Sequence, residues 1–142
     1  MGNAVDSPYY AVDREIQRWK GRAEVTVVDF HAEATSEKRT MGWFLDGRVS
    51  AVVGTHTHVQ TADEEVLPKG TAYISDIGMT GPYNSSIGLD KSVAITRLVK
   101  QMPAQFQVAA GDVRFCAVLI EVEESTGKAR KITRIQERLV SS

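Results

Sequence analysis

The chain carries three histidines, His31, His56 and His58, and the last two stand two residues apart in Gly54-Thr55-His56-Thr57-His58. In an extended segment, residues two apart share a side, so His56 and His58 can face one centre. Neutral imidazole is the commonest protein ligand for transition metals and suits zinc, iron and manganese-type centres. Carboxylates lie close by. Asp29 precedes His31 by two positions, Glu33 and Glu37 follow it, and Asp76 closes a later apolar run. Asp29 can orient the His31 ring, join it as a ligand or cap a turn, and Asp76 is a further candidate ligand. His31, His56 and His58 are therefore the candidate metal ligands, set against the plainer reading of His31 as a satisfied structural residue.

A second place for chemistry is the loop Asp76-Ile77-Gly78-Met79-Thr80-Gly81-Pro82-Tyr83. Its glycines let backbone approach a ligand, and Thr80 and Tyr83 offer polar contacts. Thr57, Gly78 and Thr80 are the candidate substrate contacts. Glu37 and Lys38 read as a solvated first helical turn, whose backbone N–H groups are an alternative anion site. The sequence has no G-x-G-x-x-G, no phosphate-binding loop with Gly-Lys-Ser/Thr and no G-x-S-x-G elbow.

Each histidine follows an apolar run, and those runs set where the rings go. Glu24 to Phe30 and Val49 to Val53 are short and rich in β-branched residues, as expected of strands of a parallel sheet covered on both faces. Loops beyond the carboxyl ends of parallel strands are where ligands gather, so neighbouring strands would bring the three rings to one rim. Thr71 to Ser75 reads as a third strand.

Helices are expected in three places. The first is capped by Ser7-Pro8, with Tyr9, Val12, Ile16 and Trp19 on its inner face. The second runs from Ser36 to about Leu45, with Met41, Phe44 and Leu45 inward and Asp46-Gly47 as its exit. The third is capped by Asp90, with Ile95, Leu98, Val99 and Met102 on one face and a stop at Pro103. Phe106 to Val108, Val113 to Val122 and Ala129 to Arg138 read as strands, the last two joined at Ser125-Thr126-Gly127. The order implies a layered α/β architecture with an antiparallel C-terminal hairpin portion.

Composition narrows the class. Of 142 residues, 42% are hydrophobic and 25% charged, enough apolar material for one core and too much for a disordered chain. The net charge of −1 argues against bulk nucleic-acid binding, which calls for a basic excess. The single cysteine, Cys116, rules out an intramolecular disulfide and a thiolate zinc cluster, and its apolar neighbours suggest a buried thiol. No run approaches the ~18 apolar residues of a membrane span, and no signal peptide is visible, so the expected location is the cytoplasm.

Several runs resemble one family closely. They are Asp29-Phe30-His31-Ala32-Glu33-Ala34-Thr35-Ser36-Glu37-Lys38, Gly42-Trp43, Asp46-Gly47-Arg48, Ala51 through Asp63, Leu67 through Tyr73 and Asp76 through Tyr83. Together they are similar to the YmdB-like proteins, calcineurin-like metallophosphoesterases described as 2′,3′-cyclic-nucleotide phosphodiesterases. The resemblance covers nearly the whole chain but only the second half of the family's usual length, so residues 1–142 are expected to be the C-terminal half of a metallophosphoesterase domain.

What the resemblance implies is a partial calcineurin-like layered α/β sandwich and a metal-dependent phosphodiesterase acting on cyclic nucleotides. His31 resembles the family's isolated histidine ligand, and His56 and His58 its closing Gly-His-x-His motif. His31 and His56 would then hold one ion of a dinuclear centre and His58 the other. The ions would be iron or manganese, with zinc as an alternative. In such centres the cations stabilise the attacking and leaving oxygens of an in-line displacement at phosphorus.

The aspartate after the family's first strand, its Gly-Glu-Asn motif and its Gly-Asn-His motif have no counterpart here. Met1-Gly2-Asn3 comes near the last, but Ala4 stands where its histidine belongs. The bridging carboxylate and the family's catalytic histidine are therefore missing, leaving the catalytic residue unknown and the chain expected to be inactive alone. An N-terminal half is the expected partner. Without it a strand edge is open to a second copy, making a homo-oligomer a further expectation. Two other readings stay open: a mononuclear zinc hydrolase with three histidines and an open water position, and a non-catalytic remnant or interaction module.

Overall fold

The structure is a computed structural model and describes residues 6–139; Met1-Gly2-Asn3 and Ala4 lie outside the described residues. It has three layers. Helices α1 (Pro8–Trp19) and α2 (Thr35–Leu45) cover one face of a four-stranded sheet, and a three-stranded antiparallel sheet covers the other.

The first sheet has the order β1-β2-β4-β3, from β1 (Val27–His31), β2 (Ala51–Thr55), β4 (Ala72–Ile74) and β3 (Glu65–Val66). β1, β2 and β4 are parallel, and the short β3 returns antiparallel along β4. The second sheet has the order β5-β6-β7, from β5 (Gly81–Pro82), β6 (Val113–Glu123) and β7 (Lys128–Arg138).

Alternation along β2 explains the layering. Val52 joins Met41, Leu45 and Tyr73 on the helical side, with Tyr9, Val12 and Ile16 of α1 packed against them. Ala51 and Val53 turn the other way, where Ala72 and Ile74 meet Ala129 and Ile132 of β7. Side chains two apart on a strand share a face, so one five-residue strand serves two cores.

Several details differ from the sequence reading. Only the inner strands are covered on both faces. β1 forms the sheet edge, Val27 is 55% exposed and Val25 lies outside the strand in solvent. Trp19 and Phe44 are partly in solvent rather than in the core, although Phe44 keeps an edge-on contact with Tyr9. Lys38 is the clearest reversal. It is buried, because it lies on the same helical face as Met41, Gly42 and Leu45.

Helix α3 (Lys91–Leu98) is capped as expected, the Asp90 carboxylate accepting from the Ser92 and Val93 N–H groups. It ends at Leu98, before Pro103, and Ile95, Leu98, Val99 and Met102 all face solvent. Val93 and Ala94 are its buried residues instead. The expected strand at Phe106 to Val108 reduces to one bridge between Leu89 and Val108. β3 and β5, two residues each, are too short to leave a periodic signal. Among the described residues no helix is long and apolar enough to cross a membrane.

Candidate functional site

Two adjacent parallel strands place the first two histidines. In the β1–β2 register His31 stands opposite Thr55, so His56 is the first residue past the pairing. The His31 Nε2 and His56 Nδ1 atoms are 3.1 Å apart, with the rings edge to face. His58 takes another direction. Its Nδ1 meets the Ile87 carbonyl at 2.9 Å. The structure therefore brings His31 and His56 together and fixes His58 against the 83–90 loop.

A relay sets the His31 tautomer. The Thr55 hydroxyl donates to Asp29 Oδ1 at 3.1 Å, so its oxygen accepts from His31 Nδ1–H, also at 3.1 Å. That leaves Nε2 with its lone pair, accepting from the His56 Nδ1–H. An outer hydrogen bond such as that to Thr55 is how proteins fix a metal-binding imidazole. Asp29 is thus linked to His31 through Thr55.

The backbone under these rings is unusual. His56 has φ 143° and His58 φ 63°. Non-glycine residues in such conformations cost roughly 1–3 kcal/mol each and cluster at functional sites. A buried carboxylate bonds to the backbone between them and to the loop facing them. Asp76 Oδ2 accepts from the Thr57 N–H at 2.8 Å and Oδ1 from the Gly78 N–H at 2.9 Å. Lys38 Nζ approaches Oδ2 at 3.4 Å. The Met79 N–H closes the loop onto the His58 carbonyl. Gln60, two residues on, carries its amide nitrogen to the Ala117 and Ile135 carbonyls and so ties the histidine loop to the second sheet.

These bonds show what four candidate residues hold within the protein. Asp76, a candidate ligand by sequence, has both oxygens engaged internally. The Thr57 and Gly78 N–H groups are taken by Asp76, and the Thr57 hydroxyl turns to the Val59 carbonyl. Gly78, at φ 78°, is where a Cβ would come within 2.9 Å of the Gln60 nitrogen, so its glycine identity answers packing. The Thr80 hydroxyl sits between the Cys116 N–H and carbonyl and pins β5 to β6. The Thr57 and Thr80 hydroxyls and the Thr57 and Gly78 N–H groups are thus all engaged within the protein.

The spacing of the histidine pair, a hydrogen-bond distance in this structure, is also compatible with two ligands of one metal. Two nitrogens each ~2.0–2.1 Å from one ion, at roughly tetrahedral or octahedral angles, stand about 2.8–3.4 Å from each other. The 3.1 Å between His31 and His56 falls in that range. The His58 Nδ1–H bond to a carbonyl leaves Nε2 as its donor atom. Among the described residues no three His, Cys, Asp or Glu side chains gather closely enough to hold an ion. A single ion held by all three rings has no geometric support here.

Comparison with known proteins places this arrangement in context. The chain is 51% identical over 131 residues to the 2′,3′-cyclic-nucleotide 2′-phosphodiesterase of Bacillus subtilis, a match covering 92% of this chain and 50% of that protein. A hypothetical protein from Thermus thermophilus superimposes with a TM-score of 0.87 at 41% identity, over 96% of this chain and 53% of its own. A novel phosphatase of Mycoplasma pneumoniae does so with a TM-score of 0.86 at 34% identity, over 96% and 50%. The chain spans about half the length of the relatives it matches. Residues 1–135 match the family described as YmdB-like protein, and the chain belongs to that family.

Proposed function

We propose that this chain supplies the histidine ligands of a dinuclear divalent-metal centre in a phosphodiesterase acting on cyclic nucleotides. In this reading it forms the C-terminal half of a metallophosphoesterase domain. The observation that carries the proposal is the His31–His56 nitrogen pair, 3.1 Å apart and ordered by the Asp29–Thr55 relay. The identity to the Bacillus subtilis phosphodiesterase supports the substrate class.

His31 and His56 would hold one ion through Nε2 and Nδ1, and His58 would offer Nε2 to a second. Iron or manganese is the favoured metal, with zinc as the alternative. When bound, the ions supply Lewis acidity at the phosphoryl oxygens and neutralise charge on the attacking and leaving groups. The chain's own part is orientation. Thr55 and Asp29 hold the His31 tautomer, the Ile87 carbonyl holds the His58 ring, and Asp76 fixes the peptide between His56 and His58. The remaining ligands and the proton donor to the leaving group would come from a polypeptide equivalent to the other half of the longer relatives.

The test is metal content and 2′,3′-cyclic-nucleotide hydrolysis, measured on the chain alone and co-expressed with the other half of the Bacillus subtilis relative. Metal retention in the co-expressed sample, lost on His56→Ala, is the expected result. No bound metal in either sample overturns the ligand assignment. Metal without hydrolysis in the co-expressed sample overturns the enzymatic reading and leaves a non-catalytic module.

A further inference from the structure

A buried ion pair lies beside the histidine loop and has no place in the ligand set. Lys38 of α2 and Asp76, just past β4, are each 1% exposed and meet at 3.4 Å. Removing two charges from water costs several kcal/mol per ion, so a buried pair is a weak source of stability. Its worth has to be sought in what else it holds.

Asp76 divides its two oxygens between two backbone donors. Oδ1 takes the Gly78 N–H, while Oδ2 takes both the Thr57 N–H and the Lys38 ammonium. Thr57 is the residue between the two histidines with positive φ. Conformations of that cost persist only where the surroundings over-determine them, and the Thr57 N–H bond to Asp76 is the restraint placed between them. The lysine reaches the carboxylate past Gly54. A Cβ there would stand 2.8 Å from Lys38 Cδ and 1.9 Å from the Ser75 carbonyl oxygen. The Gly of Gly54-Thr55-His56 thus clears the path of the lysine stem.

We propose that Lys38 and Asp76 are positioning residues. By gripping the Thr57 amide they hold His56 and His58 in the positive-φ backbone state that presents their rings. The purpose of the grip rests on the metal-ligand reading above; its geometry does not.

The test uses the full 142-residue chain and NMR of the His56, Thr57 and His58 backbone. Asn offers one acceptor oxygen where Asp offers two, so Asp76→Asn must release Thr57 or Gly78. Lys38→Met keeps both acceptors but strips the counter-charge and still fills the space of the stem. Asp46→Asn is the control, a buried carboxylate that accepts from the Lys69 N–H at 3.1 Å, away from the histidines.

In the wild-type chain the Thr57 amide should resist exchange with D2O. In folded Asp76→Asn it should exchange at least ~10-fold faster, about 1.4 kcal/mol of lost protection, with shifted HN–Hα couplings at His56 and His58. Lys38→Met should move the same signals, and Asp46→Asn should leave them in place. A purely structural pair would lower the unfolding temperature without this local signature. Unmoved His56 and His58 signals in either folded variant overturn the proposal. An unprotected Thr57 amide in the wild type does so even if neither variant folds.

A parallel Mn2+ titration of the chain co-expressed with the other half of the Bacillus subtilis relative, followed by paramagnetic broadening of the histidine ring protons, separates the two readings. Asp76→Asn should need about 10–100-fold more Mn2+, the usual consequence of losing an outer-shell contact. A protected Thr57 amide with no Mn2+ response in the wild type overturns the metal reading and leaves the grip standing.

Discussion

His31 and His56 face each other nitrogen to nitrogen at 3.1 Å, across the ends of two strands whose register pairs His31 with Thr55. The approach is a product of parallel pairing. One residue past the pairing, the β2 backbone turns at His56 with φ 143° and swings that ring toward its neighbour.

The Asp29–Thr55–His31 relay predicts a defined cost for Thr55→Val. The side chain keeps its shape, so loss of one exposed hydrogen-bond chain should lower stability by only about 1 kcal/mol. The His31 tautomer loses its anchor, and metal affinity should fall about 10–100-fold. Isothermal titration with Mn2+ beside urea denaturation checks both. Unchanged affinity would show that the relay is idle.

Relief of backbone strain predicts that His56→Gly separates stability from ligation. Glycine adopts φ 143° without steric penalty, while the variant forfeits the hydrogen bond to His31. The balance of released strain against that bond should raise stability by on the order of 1 kcal/mol. Metal binding should be lost. A fall in the denaturation midpoint would show that the conformation is not strained.

Asp63 should govern part of the acid sensitivity. Burial pushes its carboxyl up, but hydrogen bonds from Ser75 and Thr61 outweigh that and hold it below the ordinary carboxylate value. A depressed folded pKa means the stabilisation is present above the unfolded value of about 3.9 and is lost as pH falls through the folded one. Asp63→Asn should therefore flatten the decline of stability below about pH 4. Urea titrations carried from neutral into acidic buffer read the slope, and parallel curves for both proteins would refute the assignment.

Tyr83 should act at the other end of the scale. Burial, together with the hydrogen bond to Cys116, pushes its phenol up to about 12. The folded state then retains a proton that the unfolded state releases near 10, so stability from this group drops as pH rises from about 10 to 12. Absorbance at tyrosinate wavelengths should show late-ionising phenols, the buried Tyr73 also being pushed up, and Tyr83→Phe should remove one of them.

The inner elements are legible in the sequence because period and burial agree in them. Val49 to Val53 is apolar but for Ser50, as a doubly covered strand must be, and Met41 and Leu45 keep helical spacing on one face. Edges are less legible. Val27 and the apolar side of α3 carry core-type residues in solvent, and periodicity reports residue type without reporting whether a neighbour covers it. At the site, the approach of His31 to His56 can be read from strand ends alone, whereas the turn of His58 toward Ile87 depends on a loop with no pattern of its own. Charge alone sends Lys38 to the surface, although its helical position with Met41, Gly42 and Leu45 carries the contrary signal. Its partner, Asp76, is 38 residues away, a separation that local spacing does not reach.

Cys116 gives the chain a built-in clock. It is the sole thiol, 7% exposed on β6, with the Tyr83 hydroxyl 2.9 Å from its sulfur. Burial against Tyr83 and Gln136 makes alkylation depend on local opening around the thiol, so the labelling rate reports those excursions. Because Thr80 pins β5 to β6 and the 76–83 loop begins at Asp76, slow labelling would register a firmly seated histidine loop from a vantage point on the opposite sheet.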